Sequence, residues 1–226
     1  MAGFLLFDLY GTLVDPLAIA AELNVLGVDG GEVARLWRLK QLEYSFRLTV
    51  MGQYQDFRQV TSRALAFALA SAGVGADSGQ LQQILAGYDR LPAFPDAEPA
   101  LQALADAGCE MAVLSNGTPD MIRSCLASSS LDGYLYRQIS VDPVGAFKPA
   151  AAVYRYAAER LGRPARHIRL VSANAFDCVG GAAAGMRTAW LNRSGAQFDT
   201  IGQQPDITVP ALDRLPEALS GSAPLG

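Results

Sequence analysis

Asp8, Thr12, Ser115, Asn116, Lys148, Ser172 and Asn174 are the residues whose types and settings in this chain could do chemistry. Asp8 follows the apolar run Phe4-Leu5-Leu6-Phe7 and opens the segment Leu9-Tyr10-Gly11-Thr12. A continuous apolar run ending in a turn signal fits a strand buried on both faces of a parallel sheet. The carboxyl end of such a strand is where open α/β sheets bind their ligands. Ser115-Asn116 closes the apolar run Met111 to Leu114, and Ser172-Ala173-Asn174 closes Ile168 to Val171. Lys148 opens the helix that follows Gln138 to Val141. Parallel strands end on one edge, so an acid, an ammonium, hydroxyls and amides converge there. Singly, each has a plainer reading: Asp8 as a turn residue, Ser115 and Ser172 as helix caps, Lys148 as a solvated lysine. Their recurrence at four successive strand ends points to a polar site.

The elements that must position these residues alternate from Pro92 onward. Helices are expected over Pro95 to Ala107, from Pro119 to about Leu126, from Pro149 to about Leu161 and over Phe176 to Gly185. Strands fall between them, with further ones at Arg187 to Leu191 and, shorter, Pro205 to Val209. Strand and helix in alternation predict a doubly wound parallel sheet. The stretch from about Asp15 to Arg90 reads differently. It is helical almost throughout, with Asp15-Pro16 as a helix start, a break over Gly27 to Gly31, and helices near Glu32 to Met51, Asp56 to Ala72 and Ser78 to Tyr88. The expected organisation is an α/β core formed by residues 1–14 and 92–226, with an inserted helical cap subdomain at 15–91. The tail from Ser220 to Gly226 is expected to fray.

Composition narrows the partners. Of 226 residues, 50% are hydrophobic and 18% charged, with a net charge of −4, so a sizeable core forms and no basic footprint serves nucleic acid or anionic lipid. No apolar run reaches the ~18 residues of a membrane span, and the chain enters its first strand without a secretory leader pattern. Three cysteines without paired spacing suit a reducing cytoplasm. His167 reads as a surface residue, so a Ser–His hydrolase has little support. Cys178 reads as a small buried hydrophobe and Trp37 as packing.

Asp8-Leu9-Tyr10-Gly11-Thr12, Ser115-Asn116-Gly117, Phe147-Lys148-Pro149 and Ser172-Ala173-Asn174-Ala175-Phe176-Asp177 resemble the four motifs of the haloacid dehalogenase superfamily, over nearly the whole chain. Three details resemble its L-2-haloacid dehalogenase branch rather than its phosphatases. Two residues after Asp8, where phosphatases carry a general acid, stands Tyr10. Four residues before Asp177, where they carry an acidic magnesium ligand, stands Ala173. Trp37-Arg38-Leu39-Lys40-Gln41-Leu42-Glu43-Tyr44 resembles the dehalogenase cap helix whose arginine faces the active site. Leu39, Ala173 and Phe176 depart from the common pattern at positions expected to line or support the pocket.

The resemblance implies displacement of halide from a short L-2-haloacid with inversion, giving a D-2-hydroxyacid through an aspartyl ester. Asp8 would be the nucleophile, Lys148 its counter-ion, and Arg38 with Asn116 the stabilisers of halide. Ser115 and the amides after Asp8, beginning at Leu9, would hold the substrate carboxylate. Tyr10, Phe57 and Phe176 would wall the alkyl group, with Tyr154 near Lys148. Asp177, oriented by Asn174 and Ser172, would partner the hydrolytic water, and Thr12 would support Asp8. No metal or cofactor is implied. The partners are the haloacid, water and halide, and relatives are typically homodimers through cap helices. The competing reading is a magnesium-dependent phosphomonoesterase, because Asp8, Ser115, Lys148 and Asp177 are shared by both groups. A non-catalytic domain on this fold is disfavoured by the full set of nucleophile, cation and water partner.

Overall fold

The computed structural model describes residues 4–75 and 77–221. Strand β1 (Phe4–Phe7) is followed by four helices, α1 (Ala20–Asn24), α2 (Gly30–Val50), α3 (Phe57–Ser71) and α4 (Ser78–Tyr88). Alternation then begins: α5 (Ala97–Asp106), β2 (Glu110–Ser115), α6 (Pro119–Ser128), β3 (Arg137–Ser140), α7 (Ala151–Leu161), β4 (Ile168–Ser172), α8 (Ala175–Ala183), β5 (Arg187–Leu191), β6 (Ile207–Val209) and α9 (Leu215–Ser220). The strands form one sheet in the order β3-β2-β1-β4-β5-β6, and each pairing is parallel. The order reverses at β1, which lies between β2 and β4. That is the topological switch point at which doubly wound sheets open a ligand crevice. All four residues of β1 are buried, so the Phe-Leu-Leu-Phe run packs against helices on both faces.

The segment carrying α1 to α4 leaves and re-enters the core through a narrow neck. Val14 bridges Ala93 in antiparallel sense, the Asp15 amide donates to the Pro92 carbonyl, and the Phe94 amide donates to Leu13. Two further contacts tie the segment to the sheet edge. Thr49 Oγ1 accepts from the Phe147 amide at 3.0 Å, and the Tyr54 hydroxyl donates to Asp142.

Three sequence expectations change here. Asp15-Pro16 does not start a helix. The Asp15 carboxylate accepts from the Leu17 amide in a local turn, and α1 begins only at Ala20, without a side-chain cap. The break expected over Gly27 to Gly31 ends earlier, because Asp29 caps α2 by accepting from Glu32 and brings Gly30 and Gly31 into the helix. Gly30 is needed there because α1 runs against it: a Cβ would sit 2.1 Å from the Ala20 carbonyl oxygen. Ser220 and Gly221 close α9 and its cap, an element the sequence reading missed; residues 222–226 of the tail lie outside the described residues.

Candidate active site

Asp8 leaves the end of β1, its amide donating to the Val171 carbonyl of β4. Its carboxylate oxygens are held differently. Oδ1 accepts from Lys148 Nζ at 3.0 Å. Oδ2 accepts from Thr12 Oγ1 at 2.9 Å, from Asn174 Nδ2 at 2.8 Å and, at the long limit, from Ser172 Oγ at 3.5 Å. Thr12 is itself held by the Ala173 amide at 2.9 Å. Lys148 also reaches Asp177 Oδ2 at 2.9 Å, so one ammonium bridges two carboxylates. Asp8, Lys148 and Asp177 are 6%, 2% and 0% exposed, which makes the cluster closed and weakly solvated. Burial drags Lys148 down, but the charges of Asp177 and Asp8 prevail and hold its pKa above the ordinary lysine value. Burial pushes the Asp177 carboxyl up, against the pull of Lys148 and with a further push from Asp8.

The expected orientation of Asp177 is corrected. The side chains of Asn174 and Ser172 do not reach its carboxylate, and Asn174 meets Asp177 only through its carbonyl, which accepts from the Asp177 amide at 3.0 Å. Both side chains sit at the end of β4 beside β1 and turn towards Asp8, and Asn174 also donates to the Tyr10 carbonyl at 3.2 Å. Asp177, in the first turn of α8, is held from α7 instead, where Tyr154 Oη donates to its Oδ1 at 2.7 Å. The approach of α7 to α8 depends on Gly180, because a Cβ there would lie 2.7 Å from the Tyr154 hydroxyl. Tyr154 and Lys148 thus meet the two oxygens of one carboxylate, Tyr154 at Oδ1 and Lys148 at Oδ2.

Ser115 and Asn116 lie buried at the end of β2. Ser115 Oγ accepts from the Gly117 amide, and Asn116 Oδ1 accepts from the Lys148 amide at 3.0 Å, which orients the Asn116 amide with its nitrogen as the remaining donor. Leu9 is buried, and its carbonyl accepts from Thr12, Leu13 and Val14, winding the loop after Asp8 into a tight turn. Tyr10 packs between Phe57 and Tyr88, with ring centroids at 5.7 and 5.4 Å. Phe57 also meets Phe147 at 6.0 Å. Phe176 is half-buried and meets Phe46 of α2 edge-on at 5.1 Å.

Arg38 arrives from α2. Its Nη2 donates to the Tyr10 carbonyl at 3.3 Å and its Nη1 to Gln41 Oε1 at 2.7 Å. The helical segment therefore does bring its arginine onto the loop that follows Asp8. Leu39 does not line the pocket as expected: at 61% exposure it faces outward, because its neighbours on α2, Arg38 and Trp37, take the inward directions. Trp37 is packing, its indole donating to the Thr61 carbonyl. The sequence reading did not single out Gln41, Thr61 or Tyr88, whose partners lie across helices, or Arg193, whose partners lie in loops distant in sequence. Only the i, i+3 spacing of Gln41 from Arg38 on one helix offered a signal.

Among the described residues, no group of three His, Cys, Asp or Glu side chains converges as a metal site. The oxygens nearest to such a role, on Asp8, Asp177 and the Tyr10 carbonyl, are engaged by Lys148, Arg38 and Asn174. Among the described residues, no helix is long and apolar enough to cross a membrane.

Known proteins resemble this one along its length. Residues 4–185 match the family described as haloacid dehalogenase-like hydrolase. The chain is 41% identical to (S)-2-haloacid dehalogenase 1 of Pseudomonas sp. (strain CBS-3) over 216 residues, 94% of each chain. It is 37% identical to haloacetate dehalogenase H-2 of Moraxella sp. (strain B) over 211 residues, 92% of this chain and 94% of that one. The solved structure of L-2-haloacid dehalogenase from Xanthobacter autotrophicus with chloropropionic acid covalently bound superposes with a TM-score of 0.92 at 34% identity, covering 99% of this chain and 100% of that one. Matches that run through every element carrying Asp8, Lys148 and Asp177 make this chain a member of the haloacid dehalogenase-like hydrolase family.

Proposed function

We propose that the protein hydrolyses short L-2-haloalkanoic acids to D-2-hydroxyacids, with inversion, through an ester on Asp8. The observation that carries this reading is the unequal loading of the Asp8 oxygens. Oδ2 takes three side-chain donors, whereas Oδ1 takes Lys148 alone among them and keeps lone pairs for attack. Oδ1 attacks carbon 2 of the substrate from behind as the carbon–halogen bond breaks, and halide leaves with the electron pair. Arg38, with Asn116 as amide donor, stabilises that halide. Ser115 and the amides of Leu9 and Tyr10 hold the substrate carboxylate, and Tyr10, Phe57 and Phe176 form the apolar wall. Water then gives a proton to Asp177 and adds to Asp8 Cγ. The charge that gathers on Oδ2 meets donors already in place, Thr12, Asn174 and Ser172. The Cγ–Oδ1 bond breaks, the hydroxyacid leaves with Oδ1 as its hydroxyl oxygen and regains the proton from Asp177, and the second proton passes to solvent. The steps are complete with this chain's side chains and water.

The phosphomonoesterase alternative lacks its parts. Tyr10 stands in the general-acid position, and burial pushes its phenol well above the ordinary range, which makes it a poor proton donor. Ala173 stands where a metal-binding acid would be. We assign residues 15–91 the role of a cap that brings Arg38 to the core of residues 1–14 and 92–226. A reducing cytoplasm fits the three free cysteines, and cell fractionation checks it. The test of the reaction is halide release from L- and D-2-chloropropionate, with a single turnover in oxygen-18 water. Halide from the L isomer, with label in Asp8 and none in the first hydroxyacid, is expected. Label passing directly into hydroxyacid excludes the ester. Phosphatase turnover lost with EDTA, without halide from any short haloacid, overturns the whole reading.

A further inference from the structure

Arg38 is gripped on one side by Gln41, and the grip is neutral. Gln41 is 0% exposed, and its amide is engaged at both ends. Oε1 accepts from Arg38 Nη1 at 2.7 Å and from Tyr88 Oη at 3.0 Å, and Nε2 donates to Thr61 Oγ1 at 2.7 Å. The Thr61 hydroxyl spends its proton on the Phe57 carbonyl at 2.6 Å, so towards Gln41 it can only accept. That assigns nitrogen to the Thr61 side of the amide and oxygen to the Arg38 side. The orientation is thus fixed by a chain of hydrogen bonds running from a backbone carbonyl of α3 through α2, with a second brace from α4. Tyr88 is held in turn between the Tyr10 ring and the Trp37 ring, at 5.4 and 5.0 Å.

A carboxylate at this position would grip a guanidinium more strongly than an amide does. It would also cancel much of the positive charge that a departing halide needs. Asp89, the acid that follows Tyr88, is held away in a pair with Arg58. We infer that Gln41 is the positioning residue of Arg38: a buried neutral acceptor, oriented by Thr61 and Tyr88, that fixes the guanidinium over the loop after Asp8 and leaves its charge whole for the leaving group. The inference rests on the dehalogenase reading of the site.

The test is a double-mutant cycle on L-2-chloropropionate and L-2-bromopropionate. Gln41→Leu and Gln41→Glu are each made in wild type and in Arg38→Ala, with melting curves recorded for every variant. Gln41→Leu removes the acceptor and is expected to lower kcat on the order of 10- to 100-fold, as loss of a supporting contact to a reacting group does. Gln41→Glu keeps the shape, pairs with Arg38, and is expected to lose more kcat on chloride than on bromide, whose departure needs less help. In Arg38→Ala neither substitution lowers kcat further beyond about twofold, because a residue acting through Arg38 has nothing left to act on. Equal losses in both backgrounds overturn the inference and leave Gln41 a structural residue. If Gln41→Leu does not fold, Thr61→Val and Tyr88→Phe, which each remove one brace, carry the same cycle. A wild type that releases no halide refutes the dehalogenase reading, not the positioning. The positioning is then read from the Arg38 Nε–Hε resonance, which must move in Gln41→Leu; an unchanged resonance overturns it.

Discussion

Asp177 is a carboxylate whose surroundings pull in opposite directions, and its proposed role needs that balance. A general base works best with a pKa near the working pH. Burial, and then the neighbouring Asp8, push Asp177 up, while Lys148 and the Tyr154 hydroxyl favour its charged form. Protonated Asp177 cannot take a proton from water, so ester hydrolysis fails as pH falls through its pKa. The acid limb of kcat is therefore expected above the ordinary aspartate value of about 4. Tyr154→Phe removes one donor to the ionised form and should move that limb further up in pH, with kcat near neutrality lowered severalfold. A pH–rate profile of single-turnover hydrolysis checks both; a limb that stays put in Tyr154→Phe assigns it to another group. At this scale the sequence was legible where a residue sits at a strand end, as Asp8, Ser115, Ser172 and Asn174 do, because parallel strands fix where their ends meet. It was not legible for the partner of Asp177. That depends on how closely α7 approaches α8, a packing distance set by Gly180 that no linear pattern encodes.

Elements hold the nucleophile loop from outside as well as from the site. Arg193, just beyond β5, donates from Nη1 to the Gly11 carbonyl at 3.1 Å and from Nη2 to the Thr12 carbonyl at 2.9 Å. It pairs with Asp96, the residue before α5, through Nε at 3.0 Å and Nη2 at 2.7 Å, and its guanidinium lies 3.9 Å over the Phe94 ring. Asp96 also accepts from the Leu212 amide at 2.7 Å. Burial would raise the Asp96 pKa, yet the hydrogen bonds from Arg193 and Leu212 outweigh it and hold the carboxyl below its ordinary range. A folded-state pKa below the unfolded one contributes stability above the unfolded value, near 4, and loses it as pH falls through the folded value. Arg193→Met is expected to destabilise the protein by about 2 kcal/mol near neutral pH, the scale of charge-assisted bonds in a half-buried pair. The difference from wild type should shrink as pH is lowered below ~4, in urea melts at a series of pH values. A difference independent of pH would locate the effect in packing against Phe94 instead. The order of elements from β2 onward was legible because strands and helices here carry different hydrophobic periods. The short α1 was not: Asp15-Pro16 has the residues of a helix start, and a local turn captured them first.

The whole molecule shows apolar side chains on the outer side of α2. Leu39 and Val50 are 61% and 88% exposed, and eleven residues apart they fall on one stripe of the helix. Met51, the residue that caps the helix, is 58% exposed beside its end. Two copies of the chain docked through this face would cover it, and light scattering would then give about twice the 23.9 kDa chain mass. Val50→Glu should shift it towards one chain; a wild-type mass of one chain refutes the dimer. This exposed face was not legible in the sequence, since Leu39 reads there as a position that lines or supports the pocket and only the helix's rotation against its neighbours turns it outward. The neck at Val14 and Ala93 has a consequence for what such a chain can become. Because both ends of the helical insertion are pinned side by side, the sheet experiences everything between them as a single hairpin, and β1 keeps its register with β2 and β4 whatever the insertion contains. The entropy of closing a loop grows only with the logarithm of its length, about 0.6 kcal/mol per doubling. Helices can thus be lengthened, exchanged or added beyond the neck at small expense to the core, so the inserted segment is free to diversify while Asp8 and Lys148 stay fixed.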